Sequence, residues 1–228
     1  MKRGFPILAI VTALLLSFAL YEALIGAPTE RTMGDVQRIF YYHVPSAWTA
    51  FVLFLMNFVS SIIYLARRNI KADILALVSA EVGVVFCTVV IVTGPIWARP
   101  VWGIWWAPGD IRLTTTLVLW LIYISYLVLR RFSTSSQTPV IAAVVAIFGA
   151  LDVPLVYFSI WFFRTQHPSP VIGGGGSLDP RMAHVLLISW AAFMCLAWLL
   201  CWTRFRLEVL KREVEEAQAL ESLLEGPQ

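Results

Sequence analysis

Apolar residues fall in six long runs, Phe5–Ile25, Ser46–Ala66, Ile74–Val92, Leu113–Leu129, Val140–Phe163 and Ala183–Trp202, separated by polar or aromatic stretches. Each run is close to the ~20 residues a helix needs to cross the hydrocarbon core of a bilayer. The pattern predicts an all-α membrane protein with six transmembrane helices. The first run follows Lys2 and Arg3, as a signal peptide would. Its apolar part is long, however, Pro28 lies just past it, and no A-x-A cleavage site follows, so a spanning helix is expected. After Trp202 the pattern changes. The tail Arg204–Gln228 is rich in Glu, Lys, Leu and Ala, and Leu207, Leu210, Val214, Ala217, Leu220 and Leu224 are spaced by threes and fours. That spacing predicts one apolar helical stripe. The expected organisation is a six-span domain over residues 1–203 and an amphipathic C-terminal helix over 204–228. That helix would continue the sixth span in solvent, lie along the membrane, or dock a partner.

The basic residues orient the bundle. With the N-terminus inside, Lys2, Arg3, Arg67, Arg68, Lys71, Arg130, Arg131, Arg204, Arg206, Lys211 and Arg212 lie in the inner segments; Arg31, Arg38, Arg99, Arg112, Arg164 and Arg181 lie in the outer ones. The excess of Lys and Arg marks the cytoplasmic side. Both termini are therefore expected to be cytoplasmic, with three loops facing outward: Gly26–Pro45, Thr93–Arg112 and Arg164–Met182. Composition agrees with the class. Charged residues make up 14% and hydrophobic residues 59% of the chain, against about a quarter charged in soluble domains. The net charge of +3 sits beside apolar runs rather than in one patch, so no nucleic-acid partner is expected. Cys87, Cys195 and Cys201 all lie inside apolar runs, form no C-x-x-C pattern, and read as small buried hydrophobes.

The densest chemistry lies between the third and fourth runs. The stretch Trp97–Thr114, WARPVWGIWWAPGDIRLT, holds Trp97, Trp102, Trp105 and Trp106 together with Arg99, Asp110 and Arg112. It is expected to form an external tryptophan-rich loop. Indoles settle at membrane surfaces because their bodies are apolar and their N–H groups stay wet. Four in so short a stretch also make a flat aromatic surface for a ligand. All three histidines fall on the same side. His43 is expected just before the second helix, where Pro45 and Ser46 are helix-start residues. His184 opens the sixth, and His167 lies in the loop before it. Two neutral imidazoles can hold haem iron from opposite sides, and a porphyrin needs flat apolar partners. Arg99 and Arg112 can reach its propionates by charge-assisted bonds. A zinc site would draw on His43, His184 and Asp110, but would leave the aromatic surface without a role.

Glu81 and Asp152 fall near the middle of their runs. An ionisable group at that depth either pairs inside the bundle or marks a functional site, and Asp152 also adjoins a bend expected near Pro154. The run Gly173–Gly176 reads as a flexible hinge, because no strand precedes it and no Lys-Ser/Thr follows. No ATP-binding motif is present, so any energy input comes from another chain.

Several stretches resemble one family. GPIWARPVWGIWWAPGDIRLT resembles the tryptophan-rich signature of the haem-handling proteins of cytochrome c maturation, and the length and six-span layout are similar to the haem exporter protein C family. GDVQRIFYYHVPSAW (Gly34–Trp48) and LDVPLVYFSIWFFRTQHP (Leu151–Pro168) agree with it. The resemblance covers nearly all of Gly34–Trp190. It implies non-covalent b-type haem on the outer face of a bacterial inner-membrane protein, with His43 and His184 as axial ligands. Trp97, Trp102, Trp105, Trp106 and Asp110 would lie against the haem, with Arg99 and Arg112 as candidates for its propionates. It implies delivery to a periplasmic haem chaperone, beside ABC transporter subunits and a small single-span subunit. It points to a binding and delivery protein more than an enzyme. One departure stands out: the family usually reads Trp-Trp-x-Trp-Asp, whereas here Trp106 is followed by Ala107-Pro108-Gly109-Asp110. Two alternatives remain open. A cytochrome c synthase of the same superfamily would be larger and carry histidines mid-span. A permease for another small molecule would have a polar cavity at the midplane.

Overall fold

A computed structural model describes residues 4–163, 165–168 and 178–225. Among them the chain is helical throughout, apart from loops and one isolated bridge between Glu30 and Gly34. The helices are α1 (Gly4–Tyr21), α2 (Phe40–Arg67), α3 (Ile70–Trp102), α4 (Ile111–Phe132), α5 (Thr138–Ala150), α6 (Asp152–Phe162) and α7 (Pro180–Glu225). A π-turn over Glu22–Gly26 extends α1, and a 3₁₀ turn over Asp35–Ile39 leads into α2. The described residues form six helical segments long and apolar enough to cross a membrane, as the six runs predict. The Gly173–Gly176 hinge lies outside the described residues.

The helix ends differ from the sequence reading in ways that matter for the site. Helix α2 begins at Phe40, so Pro45 lies inside it and His43 sits in its first turns rather than ahead of them. Helix α3 does not stop near Val92. It runs to Trp102 despite Pro95 and Pro100, and ends where Gly103 takes a left-handed conformation (φ 77°) and donates its N–H to the Arg99 carbonyl at 3.1 Å. Half of the expected tryptophan loop is therefore helix. The fifth span is two helices, broken at Leu151. Pro154 falls in the first turn of α6, where its missing N–H would have had no intrahelical partner. The sixth span and the tail form one uninterrupted helix of 46 residues, about 69 Å long at 1.5 Å per residue.

Helices α2 and α3 form an antiparallel pair across a two-residue turn. Arg68 adopts a left-handed φ of 51° and caps α2, and Asn69 caps α3 by accepting from the Ala72 N–H at 3.1 Å. At their contact Gly83 leaves room for Phe54, which stacks on Tyr123 of α4 with ring centroids 3.8 Å apart. Helix α1 packs mainly on α7, with Phe5 edge-on to Trp202 at 6.4 Å.

The end of the bundle opposite the histidines is tied by ions. The buried Asp73 carboxylate accepts from Arg130 of α4, including one bond of 3.1 Å, and from Arg212 of α7 at 2.8 Å. Arg204 grips Glu81 through two hydrogen bonds of 2.8 and 2.9 Å. Glu81 is thus one half of an ion pair, reached by an arginine that the apolar-run boundaries had put outside the membrane. Asp152 is buried at the α5–α6 break, with one carboxylate oxygen lacking a partner among the described residues.

Candidate functional site

At the other end of the bundle, three segments distant in sequence meet: the start of α2, the end of α3 with the loop to α4, and the segment after α6. His43 projects from α2 toward α3, its Nδ1 lying 2.9 Å from the Thr93 Oγ1. The Thr93 hydroxyl donates its one proton to the Val89 carbonyl at 2.6 Å, the usual Ser/Thr back-bond in a helix. Toward His43 it can only accept. His43 therefore carries its proton on Nδ1 and keeps a bare lone pair on Nε2.

His167 faces His43, with ring centroids 6.4 Å apart and planes inclined by 33°. Its Nδ1 lies 3.0 Å from the Pro168 carbonyl oxygen. A carbonyl only accepts, so this imidazole too bears its proton on Nδ1 and leaves Nε2 bare. Burial, reinforced by the charge of Arg112, lowers the His167 pKa to about 4, so the ring is neutral near pH 7. A histidine that ligates a metal characteristically donates its other N–H to a carbonyl, carboxylate or water. His167 is held that way by the Pro168 carbonyl, and a hydroxyl oxygen takes the same place for His43. Two imidazoles bound at about 2 Å to one metal from opposite sides place their ring centres roughly 6 Å apart, close to the separation found.

His167 is positioned by Asp110. One oxygen of this buried carboxylate caps α4, accepting from the N–H groups of Arg112 at 3.0 Å and Leu113 at 3.2 Å. The other accepts from the Thr165 hydroxyl at 2.5 Å and the Gln166 N–H at 2.8 Å. Thr165 Oγ1 in turn accepts from the His167 N–H at 3.0 Å. Burial opposes the charge on Asp110, but these hydrogen bonds outweigh it and hold the carboxyl below its ordinary range. Beside it, Ile104, Ala107, Pro108, Gly109, Thr165 and Gln166 complete a crevice of about 460 Å³. The Ala-Pro-Gly departure from the family pattern thus forms one wall of that crevice.

Arg112 stands close enough for its charge to act on both histidines. One of its terminal nitrogens is buried without a partner among the described residues. Arg99 is instead exposed and bonded to the carbonyl of Gly103, closing its own helix end. Trp97 and Trp102, on the last turns of α3, meet edge to face at 5.2 Å. Trp105 is 60% exposed and Trp106 half-buried in the following loop.

The expected pairing of His43 with His184 is not the one the structure assembles. His184 lies on the first turns of α7, exposed, in a separate cleft with Glu22, Gly26, Pro180, Arg181 and Val185. At the start of α7, Met182, Val185 and Leu186 pack with Ala23 and Ala27 at the end of the first span and with Tyr41 of α2. Sequence reasoning placed His167 on the same face as His43 but gave it no role. Its signal was available in the segment Leu151–Pro168, which holds it next to its end. Thr93 and Thr165 carried no signal of their own.

The sequence model of the family described as "Heme exporter protein C" matches residues 1–220. A heme exporter protein C of Bradyrhizobium diazoefficiens is 34% identical over 96% of this chain and 84% of its own length. The heme exporter protein C of Escherichia coli K12 is 29% identical over 96% of this chain and 89% of its own. A mitochondrial protein of Marchantia polymorpha, described as ccmC-like and of cytochrome c biosynthesis, is 30% identical over 80% of this chain and 78% of its own.

Proposed function

This chain belongs to the haem exporter protein C family, multi-span membrane proteins that handle haem in cytochrome c biogenesis, and we propose that it holds one non-covalent b-type haem between His43 and His167. The observation that carries this reading is the pair of facing imidazoles, each with Nδ1 tied to a protein acceptor and Nε2 left bare. His43 and His167 would hold the iron through their Nε2 atoms. The unpartnered nitrogen of Arg112 meets a propionate through a charge-assisted bond. Trp105 and Trp106 supply the apolar bed, and the Trp97–Trp102 pair stiffens it from behind. Asp110 orients; its oxygens already accept four hydrogen bonds, about what a carboxylate can take. Haem, when bound, offers an iron with two axial sites and a vinyl edge for later attachment to another protein. The exposed crevice beside Asp110 leaves that edge approachable. Delivery follows to a periplasmic haem chaperone, with ABC transporter subunits and a small single-span subunit alongside in the bacterial inner membrane.

A permease reading has less support, because Glu81, a residue that would mark a midplane path, is occupied by Arg204. The ligand assignment is tested by the absorption and electron paramagnetic resonance spectra of the purified protein loaded with haem. His43→Ala and His167→Ala are each expected to convert a six-coordinate low-spin signal to a high-spin one and to lower occupancy, while His184→Ala leaves both unchanged. Loss of the signal in His184→Ala with retention in His167→Ala would restore the His43–His184 pairing.

A further inference from the structure

Toward its C-terminal end, α7 keeps one face on the bundle and leaves the other without a partner among the described residues. At about 100° per residue, Cys201, Phe205, Glu208 and Arg212 share a face. Cys201 and Glu208 are buried, Phe205 packs on the core, and Arg212 reaches Asp73. Leu207, Leu210 and Val214 lie on the opposite face, each more than half exposed, and Ala217, Leu220 and Leu224 continue it. Every residue from Glu213 to Leu224 is exposed. A free helical end of this length is marginal in water without tertiary contacts.

The spacing defines what covers it. Positions 207, 210, 214, 217, 221 and 224 alternate by three and four, the seam of a coiled coil. Five are Leu, Val or Ala, and the sixth is Glu221. Glu213 borders the seam, and Glu215 and Glu216 add to the acidic distal half; Arg206 and Lys211 border its proximal half. A second copy in the same membrane would run parallel. It would set Glu221 against Glu221 in one buried layer and Arg206 beside Lys211, both repulsive. A membrane surface would have to bury Glu221, and its anionic headgroups would repel the distal glutamates. Over the distal half, where every flanking charge is acidic, a helix with an apolar seam flanked by lysine or arginine satisfies each position, because its cations meet Glu213 and Glu221 while its apolar residues meet Val214, Ala217 and Leu224.

We propose that residues 213–224 are a docking helix for a basic amphipathic helix of another protein. The inference does not depend on the haem ligand assignment. The full-length protein in phosphatidylcholine nanodiscs is titrated into fluorescein-labelled synthetic heptad peptides, one with lysine and a twin with glutamate at the flanking positions, read by fluorescence anisotropy. Saturable binding of the lysine peptide is expected, about tenfold or more tighter than the glutamate twin and weakened by salt. Val214→Asp abolishes it. Glu221→Lys, which leaves the apolar stripe intact, reverses the preference. An unchanged haem spectrum in both variants shows that the bundle is folded. Equal binding of the twins, binding by empty nanodiscs alone, or no binding overturns the proposal. So does a dimer in sedimentation that Val214→Asp dissolves, which would assign the stripe to a second copy. Protection of the tail from protease in phosphatidylserine nanodiscs without peptide would assign it to the membrane.

Discussion

Asp110 joins four donors, two at the start of α4 and two from a segment that begins 55 residues after it, and no other side chain among the described residues of the site connects as many parts. Its two oxygens do different things: one ends the orphan N–H groups of α4, and the other fastens the segment that carries His167. The two roles separate by substitution. Asparagine is a good helix N-cap, so Asp110→Asn keeps the first role. Its amide nitrogen is a donor, however, and cannot accept the Gln166 N–H. Asp110→Asn is expected to leave thermal stability within about 1 kcal/mol of the parent while weakening haem binding and raising the high-spin fraction. Asp110→Ala removes both roles and adds a cap loss of about 1 kcal/mol. Equal haem spectra in the parent and the asparagine variant would show that the fastening of Thr165 and Gln166 does not govern His167.

At the scale of elements, α3 is the rod on which both ends of the bundle are built. Asp73 stands in its first turn and Trp102 in its last, about 44 Å apart along a helix of that geometry. Its seating on α2 depends on Gly83. A Cβ there would come within 2.7 Å of the Phe54 ring, and Phe54 has nowhere to go because it stacks on Tyr123. Gly83→Ala is therefore expected to destabilise by about 1–3 kcal/mol as an overpacked core, despite the ~1 kcal/mol that alanine gains in helix propensity. Thermal unfolding in detergent checks it, and Phe54→Leu in the same chain should recover most of the loss. A stabilised Gly83→Ala variant would mean that the contact is looser than its geometry states. The same helix shows why boundaries were hard to read. Hydropathy falls at Pro95, Arg99 and Pro100, but a proline removes one hydrogen bond without ending a helix. The actual stop is the left-handed Gly103. Six spans were legible because each needs a sustained apolar run. The break at Leu151 was legible only as a bend near Pro154.

On the scale of the whole molecule, what the sequence could not disclose was partnership across distance. Placing all three histidines on one face followed from the alternation of the six spans. Choosing His167 over His184 as the neighbour of His43 depended on a carboxylate 55 residues upstream of Thr165, for which a single sequence has no local sign. The same is true of Glu81, which looked stranded at mid-span until Arg204, 123 residues later, closed on it. Hydrophobic periodicity reports which face is buried and says nothing about what buries it.

Helix α1 draws the sharpest consequence of this kind. It packs chiefly on α7, so α1 gains its main neighbour only once α7 has been made. Until then it is the turn after α1 that is held, by Arg38, which donates to the carbonyls of Ala23 and Ala27 at 2.9 and 3.4 Å. A nascent chain stopped after Ala150 is expected to be cleared rapidly, whereas one stopped after Arg212 persists, as a pulse-chase of the two truncations would show. Equal half-lives would mean that α1 is secured before the chain is finished.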